Sequence, residues 1–116
     1  MALYMVEKAI GDVILLDLRG RITLGEETER LRTKVRQLIE AGRRKILLDL
    51  KEVSYIDSVG LGTLIASYTS ARKEGGEVKL LHLPAGVHHL LQITRLSTVF
   101  DIYDDLDAAC RSFAVS

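Results

Sequence analysis

The chain has 116 residues, of which 47% are hydrophobic and 28% charged, and its formal net charge is zero. That length suits one domain with one real core, and the composition excludes a disordered tail. A net charge of zero gives no overall attraction to nucleic acid or to an anionic membrane surface.

Residues 3–8 and 13–19 read as two strands around the turn "IGD", and the second, "VILLDLR", is apolar enough to be covered on both faces. After Gly20, "RITLGEETERLRTKVRQLIEAG" places Leu31, Val35, Leu38 and Ile39 on one helical face. Glu26, Glu27 and Glu29 crowd its start and Gly42 marks its end, the order a helix dipole favours. The basic run Arg43, Arg44, Lys45 reads as a solvated helix end, not a nucleic-acid site.

"KILLDL", 45–50, predicts a buried strand, and a helix follows over about 58–74, with Leu61, Leu64, Ile65, Tyr68 and Ala71 at helical spacing. "VKLLHL", 78–83, predicts another strand, and Pro84 opens a short helix through about Leu91. Residues 99–103 suggest a last strand, and Leu106, Ala109, Cys110 and Phe113 line one face of a terminal helix. The order β-β-α-β-α-β-α-β-α predicts an α/β domain with a mixed sheet.

The single cysteine, Cys110, has no internal disulfide partner, and the N-terminus lacks an apolar region behind a basic start. Both features predict a cytoplasmic protein. No apolar run reaches the length of a membrane span. His82, His88 and His89 are the only histidines, without a cysteine cluster or HExxH spacing, so no metal site is expected.

The stretch "SYIDSVGLGTLIASY", 54–68, lies at a strand-to-helix junction, where α/β folds tend to place their sites. Either Asp57 or Ser58 suits the helix N-cap. Gly60 and Gly62 need a further reason, because glycine in a helix costs roughly 1 kcal/mol relative to alanine. Missing side chains let another backbone, or a partner's surface, approach closely. The nucleophile elbow fails, since Ile56 replaces its first glycine; the dinucleotide fingerprint fails at Ile65; the phosphate loop lacks its lysine. No base for Ser58 is evident, so the chain is not read as an enzyme.

"YIDSVGLGTLIASYTSARKEGGEVKLL", preceded by "ILLDLKEVS", resembles the STAS domain, and more narrowly the bacterial anti-sigma factor antagonists with their D-S-[ST]-G-L-G core. The resemblance covers nearly the whole chain, implying one domain over 1–116. Its implied fold is a mixed sheet of four to five strands with about four helices mainly on one side. It implies a protein that binds an anti-sigma factor that is also a serine kinase, and so frees a sigma factor. It implies Ser58 as the phospho-acceptor, with phosphorylation ending the binding and a phosphatase restoring it. ATP belongs to the kinase, and no cofactor, nucleic acid or membrane is implied for this chain. Thr23, Asp57, Ser58, Val59, Gly60, Leu61 and Gly62 are the implied partner-binding residues. The alternative is a STAS subunit of a lipid-transport complex without a phosphate cycle. Two departures stand out: Val59 replaces the family's second Ser or Thr, and in "GRIT" Arg21 and Thr23 replace the acids of G-[ED]-[LI]-D.

Overall fold

A computed structural model describes residues 3–113. Strands β1 (Leu3–Ile10) and β2 (Val13–Ile22) form an antiparallel hairpin, in register from Leu3↔Gly20 to Ile10↔Val13. The two-residue turn between them needs a left-handed backbone, which Gly11 supplies at φ +61°. Helix α1 (Glu26–Glu40) follows, then β3 (Lys45–Ile56), α2 (Ser58–Lys73), β4 (Glu77–Leu81), α3 (Ala85–Ile93), a 3₁₀ turn at Leu96–Thr98, β5 (Ile102–Tyr103) and α4 (Leu106–Ser112). The sheet order is β1-β2-β3-β4-β5, and every pair after the hairpin is parallel. β3 is therefore central.

Strand alternation divides the core in two. Ile14, Leu16, Leu18, Ile46, Leu48 and Leu50 face the larger cluster, which α1, α2 and α3 complete through Leu31, Leu64 and Leu91. Leu61 and Leu64 are buried on α2, Ile65 and Tyr68 pack against them, and the Tyr68 ring meets Phe100 edge-on at 5.3 Å. Val13, Leu15, Leu47 and Leu81 face the other way and are covered by Ala109 and Phe113 of the α4 segment. Three helices thus occupy one side and one short helix the other. Lys79 is buried on the α4 side, where its ammonium donates to the Ser112 hydroxyl at 2.9 Å and sits 4.7 Å from the Phe113 ring centroid.

Several boundaries differ from the sequence expectation. β3 runs six residues past Leu50, because Glu52, Val53, Tyr55 and Ile56 keep pairing with the far end of β2. The charged pair Lys51-Glu52 hides this extension, since there the strand leaves the covered part of the sheet and its outward residues meet water. β4 stops at Leu81, and His82 takes a left-handed backbone at φ +55°. The last strand shrinks to Ile102–Tyr103, with Leu96–Thr98 of the preceding stretch coiled as a 3₁₀ turn.

Candidate functional site

The extension of β3 builds the site. Ile56 pairs with Ile22, so the turn into α2 is pressed against the end of β2, at the carboxyl end of the parallel strands. Asp57 is extended (φ −96°, ψ −176°) and caps α2. One carboxylate oxygen accepts the Gly60 N–H at 2.8 Å and the other accepts the Leu24 N–H at 3.1 Å. Its own N–H donates to the Ile22 carbonyl at 3.3 Å. One aspartate therefore ties together the helix start, the end of β2 and the β2–α1 loop. The Gly60 N–H, and then the Leu24 N–H, hold its carboxyl below the usual aspartate range.

With Asp57 as the cap, Ser58 becomes the first helical residue. Its side chain is exposed and its hydroxyl makes no hydrogen bond among the described residues. The other hydroxyls of the stretch are placed differently. Thr63 and Ser67 are buried at 5% and 1% exposure, and Ser54 donates to the Gly20 carbonyl. His82, one of the three histidines, is engaged by Asp49 at 3.2 Å, and among the described residues no histidine hydrogen-bonds the Ser58 hydroxyl.

The two glycines have separate reasons. A methyl group on Gly60 would fall 1.8 Å from the Ile22 carbonyl oxygen, so this glycine lets the helix approach β2. A methyl group on Gly62 would meet nothing within 4 Å, and Gly62 lies on the open surface. The predicted residues therefore split. Ser58, Val59 and Gly62 face solvent, Thr23 and Asp57 are half-buried, and Gly60 and Leu61 are inside. Two features went unread in the sequence. Leu24 is 77% exposed beside this turn, although its amide is tethered to Asp57. Arg21 lies over the exposed Tyr55 ring, 5.3 Å from its centroid. An apolar residue just before Gly25, outside the helical repeat, was the available hint for Leu24. The Arg21–Tyr55 contact needs the register of the extended strands.

This capped junction on a five-stranded mixed sheet is the setting in which the D-S-x-G-L-G sequence lies. The STAS domain family model matches residues 4–109. The chain belongs to the STAS domain family. Over 72 residues it is 39% identical to the anti-sigma-B factor antagonist of Bacillus subtilis, covering 62% of this chain and 65% of that protein. Over 73 residues it is 34% identical to the anti-sigma F factor antagonist of Paenibacillus polymyxa, covering 60% of this chain and 62% of that one. The match thus spans a little under two thirds of the length of both relatives. Among solved structures, the Thermotoga maritima protein TM1081 superposes with a TM-score of 0.85 at 27% identity, covering 93% of this chain and 92% of that one. The antagonist SpoIIAA in its unphosphorylated form gives a TM-score of 0.73 at 16% identity, covering 96% and 97%, a likeness of fold. Among the described residues of this STAS domain, no helix is long and apolar enough to cross a membrane.

Proposed function

We propose that this STAS domain is an anti-sigma factor antagonist whose binding is switched by phosphorylation of Ser58. The carrying observation is the free, exposed Ser58 hydroxyl on a helix start that Asp57 already caps. The proposed partner is an anti-sigma factor with serine-kinase activity. Bound to the unphosphorylated surface around Ser58, Val59 and Gly62, it would release its sigma factor. In the switching step the Ser58 oxygen attacks the γ-phosphorus of ATP held by that kinase. A new O–P bond forms, the bond to the ADP oxygen breaks, and the serine proton passes to a base on the kinase. A phosphatase reverses the state by hydrolysis.

A phosphate brings about −1.5 to −2 charges at neutral pH. The N-terminus of α2 tolerates that charge, so the fold stands while the interface is altered. Asp57 lies directly beside it, and the partner would have to desolvate or pair the added charge.

The test is incubation with anti-sigma kinases encoded in the same genome, with ATP, followed by mass spectrometry of the Ser58 peptide. Phosphate on Ser58 is the expected result. Binding without any modification would mean an antagonist that does not switch, neither binding nor modification would favour the constitutive lipid-transport module, and phosphate on Ser54 instead would move the site. Ser58→Glu should weaken the partner by about tenfold or more, which is about 1.4 kcal/mol.

A further inference from the structure

A second feature shares the carboxyl end of the sheet with Ser58. A groove of about 410 Å³ lies between the end of β3 and α3. Its apolar wall is Tyr55, Ile56, Pro84, Val87, Leu90 and Ile93, and its polar members are Ser54 and His89. Neither an acid nor a lysine or arginine lines it. Ile93 is 64% exposed and Tyr55 51%, so much of this wall faces water. Tyr55 also joins the groove to a cation, because the Arg21 guanidinium rests over its ring. Like most of the lysines and arginines, Arg21 has no carboxylate partner among the described residues; what sets it apart is its seat over Tyr55, a wall residue of the groove. Arg21↔Tyr55 is one register step before Ile22↔Ile56, and Asp57 and Ser58 follow directly. The groove, its rim cation and the Ser58 turn are therefore neighbours on one end of the molecule.

We propose that this groove is the second half of the partner surface, receiving an acidic-apolar segment of the anti-sigma factor. An apolar side chain fills the wall beside Ile93, and a carboxylate of the same segment pairs with Arg21. The inference rests on the reading of Ser58 as a contact with that partner. The charge balance selects the occupant. A basic segment would meet an unpaired guanidinium, and a neutral one would leave it partly desolvated without a counter-charge. The Tyr55 ring holds the guanidinium in place, and arginine suits a planar, two-pronged carboxylate contact. The same balance links the groove to the switch. A phosphate on Ser58 would place its negative charge beside the approach of an acidic segment, and like charges in one interface oppose binding.

The experiment is titration calorimetry of the full chain with anti-sigma factors encoded in the same genome. The variants are Arg21→Glu, Arg21→Lys, Ile93→Asp and Ser58→Glu, each checked for folding by circular dichroism. Arg21→Glu and Ile93→Asp should each weaken binding by about tenfold or more, with Arg21→Lys intermediate. Added salt should weaken the wild type more than Arg21→Glu. Wild-type affinity in both groove variants, with Ser58→Glu weakened, would overturn the groove and leave the antagonist reading standing. Wild-type affinity in Ser58→Glu as well, or no binding to any anti-sigma factor, would overturn the antagonist reading and this inference with it.

Discussion

Gly60→Ala and Gly62→Ala are the same substitution two residues apart on one helix, and they should change stability in opposite directions. Alanine gains about 1 kcal/mol over glycine inside a helix, partly by restricting the unfolded chain. At Gly62 the new methyl meets nothing within 4 Å, so most of that gain should appear. At Gly60 it would lie 1.8 Å from the Ile22 carbonyl oxygen, 2.6 Å from the carbonyl carbon and 2.9 Å from the Ile22 Cγ2. An ordinary carbon-to-carbonyl-oxygen contact is about 3.3 Å or more. The helix start would have to move by over an ångström, against backbone that cannot rotate away. Overpacking of this kind costs about 1–3 kcal/mol, and a clash with main chain belongs at the upper end. The clash therefore outweighs the helix gain, for a net loss of about 2 kcal/mol. Urea denaturation should separate the two variants by about 1 M or more in midpoint, given typical slopes for small domains. A Gly60→Ala protein as stable as wild type would refute the close approach of α2 to β2. A Gly62→Ala protein less stable than wild type would refute the open position of Gly62.

Ser58→Ala should remove kinase labelling while changing stability by less than about 0.5 kcal/mol, because the hydroxyl makes no bond in the fold; thermal melting would check this. The Gly60 and Leu24 amide resonances should shift on acidification with a midpoint below about 3.9, the ordinary aspartate value, because both N–H groups favour the ionised Asp57. The sign follows: Asp57's contribution to stability is complete above its unfolded value and is lost as pH falls through the lower folded one, so a midpoint at or above the ordinary value would contradict the clamp. Lys79→Ala should cost about 2 kcal/mol and loosen α4, since the buried stem packs on that side of the sheet and the ammonium holds Ser112; faster amide exchange in 106–112 would report it, and an unchanged rate would argue against the tether.

The strands and helices were legible where apolar spacing was continuous. Leu61, Leu64, Ile65 and Tyr68 identify the buried face of α2 without a structure, and "KILLDL" identifies the central strand. The end of β3 was not legible. Of its last six residues only Val53 and Ile56 are buried, three apart and without the alternation that marks a strand, and only pairing with β2 reveals them as strand. The site followed the same division. Ser58 and Asp57 were marked by their place in the motif, but which of them capped the helix depended on side-chain geometry. Gly60 and Gly62 look equivalent in sequence, and a carbonyl of β2, 38 residues earlier than Gly60, separates their roles. Arg21 and Tyr55 meet across a strand pair 34 residues apart in sequence, a contact that local pattern does not encode.

Asp57 explains why a charge at Ser58 would act on a partner and spare the fold. Its two carboxylate oxygens already take the Gly60 and Leu24 amides, and its own amide is held by Ile22. The helix start is therefore fixed before any modification, and Ser58 contributes no bond whose loss would loosen it. A phosphate there would add charge to a surface whose backbone is pinned on three sides. The helix dipole favours that charge, whereas the neighbouring Asp57 carboxylate opposes it, so the two effects partly cancel within the domain. No such cancellation would protect the proposed interface, where a partner would have to strip water from the new charge or meet it with a cation. The energetic change would thus be concentrated at the proposed contact, as a binding switch on a folded domain requires.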